Sequence, residues 1–90
     1  MVRVSNLIQT CSKSPTQWEG RTSDGRLVYV RYRWGWLTNG IGQTIDEAVR
    51  SETNLFERQL GEKRDGDLDY ARLRAVTDGL VEWPESFEKR

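Results

Sequence analysis

The stretch SDGRLVYVRYRWGWL, residues 23–37, decides the fold. It opens on Asp24-Gly25, a strong hairpin signal, and continues in a run rich in β-branched and aromatic residues. The preceding TQWEGRT, residues 16–22, supplies the first strand of the hairpin. Loop length is settled by where Trp18 falls. A two-residue loop, Asp24-Gly25, pairs Trp18 with Arg31. A three-residue loop, Ser23-Asp24-Gly25, pairs it with Val30 and gives Gly25 the left-handed position. Period-two alternation places Val28, Val30, Tyr32 and Trp34 on one face and Leu27, Tyr29, Arg31 and Arg33 on the other. The three-residue loop keeps Trp18 with the apolar set and is the reading adopted.

Working outward, a turn at Trp34-Gly35 starts a third strand, WLTNGIG. That register joins Leu37 and Ile41 to the apolar face and Trp36 to the arginines. It also turns Asn39 inward, against its polarity; a turn at Thr38-Asn39-Gly40 is the alternative. Thr44 followed by Glu47 forms a capping box. After it, Ile45, Ala48, Val49, Leu55, Phe56 and Leu60 keep helical spacing up to Gly61. A second helix is expected between Asp67 as N-cap and Gly79 as stop. Pro84 is placed to begin a last turn that brings Trp83 near Phe87. The expected fold is therefore α+β. A three-stranded antiparallel sheet (about 16–22, 26–34 and 36–42) precedes two helices (about 45–60 and 68–78) packed on one face. The 90 residues make one small domain, with 1–15 as a poorly defined N-terminal segment and 82–90 as a loose C-terminal tail.

Composition narrows the chemistry. With 36% hydrophobic and 31% charged residues and four tryptophans, the chain is of globular type. Its longest clear apolar run, Leu27–Val30, is far short of a membrane span. The first residues lack the apolar length of a signal peptide. The single cysteine, Cys11, excludes an internal disulfide framework and fits a reducing compartment, so a cytoplasmic protein without membrane contact is expected. No histidine is present, which removes the usual general base, the commonest metal ligand and every histidine-based triad. Asp65, Asp67 and Asp69 open like a calcium loop, but Tyr70 and Val76 stand where an EF-hand needs Gly and Glu. GWLTNGIGQT lacks a P-loop ending, and Ile45 stands where a dinucleotide fingerprint has its third glycine, so these glycines are assigned to tight turns. No catalytic residue, cofactor or metal is expected, and the protein is read as non-enzymatic.

Binding remains. Tyr29, Arg31, Arg33 and Trp36 share one sheet face, and such residues are enriched at binding hot spots. The plainer reading is a solvated face in which Glu19, across from Tyr29, partly neutralises Arg31. The expected occupant is a larger protein partner. The alternative is nucleic acid, with Arg31 and Arg33 on phosphates and Tyr29 or Trp36 stacking on bases. Charge is split: residues 1–42 carry +4 and residues 43–90 carry −4, with net zero overall. A third reading has Glu52, Glu57, Glu62, Asp65, Asp67 and Asp69 mimic a phosphate backbone. A homodimer through an uncovered sheet face or edge is also open.

Residues 18–49 resemble a core found in small phage and mobile-element proteins. The likeness rests on Trp18, Asp24-Gly25-Arg26, the Tyr29–Trp34 strand, Gly35 and the Thr44 cap. Such proteins include inhibitors of bacterial defence of the anti-CRISPR kind. The resemblance implies a protein without a catalytic site that binds a larger host complex, and it carries over no residue roles. The same order of strands and helix also resembles plant AP2-type and integrase arm-binding domains, which insert a sheet into DNA and are more basic than this chain.

Overall fold

The computed structural model describes residues 1–13, 15–50, 53–62 and 66–90. In chain order the elements are β1 (Val2–Cys11), β2 (Thr16–Thr22), β3 (Leu27–Arg33), β4 (Trp36–Gly42), α1 (Ile45–Val49), β5 (Asn54–Gln59), α2 (Tyr70–Val76), β6 (Val81–Glu82) and β7 (Glu88–Lys89). The strands form one mixed sheet in the order β5-β4-β3-β2-β1-β6, with β7 also on β1. The expected α+β fold, three strands followed by two helices on one face, is overturned. The protein is mostly β, with seven strands and two short helices among the described residues.

The central strands follow their local chemistry. Trp18 pairs with Val30, so the β2–β3 loop is Ser23-Asp24-Gly25. Gly25, at φ 90°, donates its N–H to the Thr22 carbonyl at 3.1 Å, and the Thr22 and Arg26 backbones close the hairpin at 2.8 Å. Arg33 pairs with Trp36, leaving Trp34-Gly35 as a two-residue turn. Both turn residues are left-handed, at φ 55° and 77°, as a type I′ turn requires. Trp34 therefore leaves the apolar face on which alternation placed it.

β1 and β5 escape simple alternation because each carries a bulge. In β1 the register slips between Val4 and Asn6, so Val4 and Leu7, three residues apart, both point into the core. In β5 it slips opposite Asn39 and Gly40, and the consecutive Leu55 and Phe56 both pack on the core. The expected helix over 45–60 thus stops at Val49. Arg50 is extended, and the Thr53 hydroxyl donates to the Glu47 carbonyl and, at 2.8 Å, to that of Arg50. These bonds satisfy carbonyls the truncated helix leaves open. The following residues add a strand to β4, whose edge would otherwise be bare. Gly61, expected to end that helix, instead donates its N–H to Gly35.

The two helices lie on opposite faces. A Cβ built on Gly40 would sit 2.7 Å from the Ala48 carbonyl carbon and overlap its oxygen; one on Gly42 would sit 2.5 Å from the Glu47 Cβ. Both glycines share the face of Tyr29 and Leu27, so α1 rests on the arginine side of the sheet rather than on the Val28/Val30 side. They are docking positions within a strand, not the tight-turn residues the sequence suggested. α2 covers the other face. Asp69, rather than Asp67, caps it by accepting the Arg72 N–H at 2.8 Å, and Gly79, at φ 84°, lies just beyond its end.

The core joins Val4, Leu7, Trp18, Val28, Val30, Tyr32 and Leu37 to Leu68, Leu73, Val81 and Trp83. Phe87 packs edge-on to Trp18 and Tyr70, with centroids 5.9 Å and 4.8 Å away, and not in a helical turn with Trp83. The Trp83 indole N–H instead donates to the Thr77 hydroxyl at 2.7 Å. Thr16 fastens the crossing chain to β2: its buried hydroxyl donates to the Gly66 carbonyl at 2.9 Å and accepts the Leu68 N–H at 3.0 Å. Asn39 points inward as its register demands. It is fully buried, and neither side-chain amide atom has a hydrogen-bond partner among the described residues.

Candidate partner-binding surface

β3 holds Tyr29, Arg31 and Arg33 on the face away from the core, and β4 brings Trp36 beside Arg33. All four line one depression of about 280 Å³. The structure adds residues that alternation did not assign to it. Trp34 enters from the turn, Val49 from the end of α1, and Asn54 and Glu57 from β5. Trp34 and Trp36 are 56% and 44% exposed, and Val49 is 48% exposed. Three of the large apolar side chains exposed among the described residues thus gather at one place, the kind of patch that marks an interaction site.

Trp34 is held there at a cost. A left-handed conformation costs a residue with a Cβ about 1–2 kcal/mol. The turn is nonetheless fixed, because the Gly35 carbonyl accepts the N–H of Leu60 at 2.7 Å and of Gly61 at 3.3 Å. A Cβ on Gly35 would come within 2.5 Å of the Glu62 carbonyl oxygen, so only glycine fits under that strap. The Arg33 guanidinium lies 4.1 Å from the centroid of the Trp34 ring, a cation–π contact that orients both groups.

Glu19 stands opposite Tyr29, as the hairpin register requires. It does not neutralise the arginines: among the described residues no carboxylate is in ion-pair range of Arg31 or Arg33, whereas Arg3 and Arg26 are paired with Glu82 and Asp24. Burial raises the Tyr29 phenol above its usual range, while the charge and hydrogen bond of Arg31 pull the other way. Tyr29 is therefore a neutral donor near pH 7. Glu57 accepts the Asn54 amide N–H at 2.8 Å on the opposite wall. The result is an apolar floor with two cations along one side.

Other readings of the sequence find less. Of the acidic set, Glu52 and Asp65 lie outside the described residues, Glu57 belongs to the depression and Asp69 is a helix cap. Among the described residues no three His, Cys, Asp or Glu side chains gather as a metal site, and no helix is long and apolar enough to cross a membrane. Cys11 is half-buried, with its thiol donating to the Lys13 carbonyl at 3.4 Å. No protein-family model matches the chain, and no curated protein or solved structure matches it significantly.

Proposed function

We propose that this chain is a non-enzymatic binding protein that engages a larger protein partner through the outer face of its sheet. The observation that carries the reading is an exposed tryptophan held in left-handed backbone on a strapped turn, beside two guanidinium groups that have no carboxylate partner among the described residues. Strain of this sort persists where the surroundings enforce it and clusters at functional sites. A rigid aromatic anchor beside arginine is also a common composition of binding hot spots. The finer reading, an inhibitor of a host defence complex, rests on the resemblance of residues 18–49 and becomes a question of which protein is bound.

The test is affinity capture of the tagged protein from a bacterial lysate with and without nuclease, repeated with Arg31→Ala and Trp36→Ala. Both side chains are on the surface, so both variants should fold. A stoichiometric protein that survives nuclease and is lost with the variants supports the reading. Capture unchanged by both variants overturns the site. Proteins lost on nuclease treatment transfer the surface to nucleic acid.

A further inference from the structure

We infer that the segment recognised by this surface is an extended acidic peptide stretch of the partner, with carboxylates at alternate positions and an apolar side chain at the next alternate position. The inference rests on the protein-binding reading above and gives it a ligand chemistry. Arg31 and Arg33 are two residues apart on one strand face, so their stems leave the sheet about 6.6–6.8 Å apart. An extended peptide lying along β3 has the same rise. Its side chains at positions i and i+2 leave one side at the same spacing. Two carboxylates so placed meet two guanidinium groups in register, each in the planar forked geometry that Arg and carboxylate share.

The rest of the depression fixes what accompanies them. The cations are flanked by the rings of Trp34 and Trp36 and by Val49, so a third side chain from the same face of the peptide meets an apolar wall. Charge also separates this occupant from single-stranded nucleic acid. Glu57 lines the same depression and Glu19 stands beside Tyr29. A phosphodiester chain carries a negative charge at every step and would press one against those carboxylates. A peptide with only two acids avoids them.

The test uses fluorescein-labelled nonapeptides and the whole protein, read by anisotropy. One peptide has two glutamates separated by one serine, followed after another serine by phenylalanine. A second has the same composition with the glutamates adjacent, and a third has lysine for glutamate; a labelled oligothymidine is the nucleic-acid probe. The alternating peptide should bind at least about tenfold more tightly than the adjacent one, and Arg31→Ala or Arg33→Ala should each weaken it about tenfold. Equal affinity for the two spacings, no binding of the alternating peptide at 1 mM, tighter binding of oligothymidine, or arginine-dependent self-association of the protein would each overturn the inference. Lysate capture separates the two ideas. A partner lost with Trp34→Ala and Trp36→Ala but retained with the arginine variants leaves the proposed function standing and removes this inference. A partner retained by all four variants removes both.

Discussion

Replacing Gly40 with alanine tests where α1 sits, and its outcome differs in sign between the two possible placements. Gly40 is not among the positive-φ glycines, so its backbone accepts a Cβ without strain. If α1 covered the Val28/Val30 face, Gly40→Ala would be neutral or favourable, because alanine in place of glycine limits the unfolded chain. In the structure the new Cβ points at the helix. It would lie 2.7 Å from the Ala48 carbonyl carbon, overlap the oxygen, and approach the Cα to 3.4 Å. Carbon atoms pack at about 4 Å, so α1 must retreat by at least about 1 Å. No side-chain rotation relieves the collision, since the obstructing atoms are backbone. Overpacking costs about 1–3 kcal/mol even where the surroundings can adapt, so the expected loss is about 3 kcal/mol or more. For a domain of this size that is a fall in Tm of at least about 12 °C, measured by calorimetry or far-UV circular dichroism. Gly25→Ala is the control: its φ is 90° but nothing lies within 4 Å of the new Cβ, so only backbone strain of about 1 kcal/mol is expected. A Gly40→Ala protein that melts within about 4 °C of the parent would refute the placement of α1 on the arginine face.

Three further outcomes are expected. Trp34→Gly should be more stable than Trp34→Ala by about 1 kcal/mol in urea denaturation, because both lose the ring but only glycine escapes the left-handed strain; alanine equal to or better than glycine would remove strain from the account. Asn39→Val should raise stability by about 1–2 kcal/mol in the same assay, since it deletes two buried polar atoms that lack partners and favours the strand; a loss would mean that the amide is satisfied in solution. The hydrogen bonds donated by the Arg26 guanidinium and the Thr22 hydroxyl hold Asp24 at about 2, below its usual value of 3.8. Stability from the ionised carboxylate is therefore complete above pH 4 and lost as pH falls towards 2. Asp24→Asn should flatten that part of the acid titration of Tm, and an unchanged acid limb would argue against the pairing.

How far the fold can be read from the chain depends on whether side chains keep period two. β2, β3 and β4 do keep it. The pairing of Trp18 with Val30 and the turn at Trp34-Gly35 follow from asking which register gathers the apolar residues. β1 does not, because its bulge puts Val4 and Leu7 three apart on one face, a spacing that fits a helix as well as a strand. Leu55 and Phe56 mislead for the same reason: consecutive core residues followed by Leu60 match a helical stripe, while the structure reaches the same burial through a slipped register. Strand and helix compete locally there, and the bare edge of β4, which no local signal reports, decides for strand. The side on which α1 docks was encoded as Gly40 and Gly42, but glycine reads equally as a turn until a neighbour is seen above it. At the surface, alternation brought Tyr29, Arg31, Arg33 and Trp36 to one face. Trp34 was assigned inward because alternation continues through a turn on paper and not in space. Val49 and Glu57 join the depression through tertiary contacts alone.

The pairing of β6 and β7 with the outer edge of β1 has a consequence for how this protein is made. Arg3 and Glu82, joined across that edge, are 79 residues apart in sequence. A ribosome adding about 5–20 residues per second needs roughly 4–16 s to travel from one to the other. For that interval β1 has no neighbour on its outer side, and Trp18 lacks the rings of Tyr70 and Phe87 that will enclose it. The nascent chain therefore exposes both a strand edge and an apolar surface until its final strands emerge. The sheet is therefore completed only once residues 81–89 have been made and have joined β1.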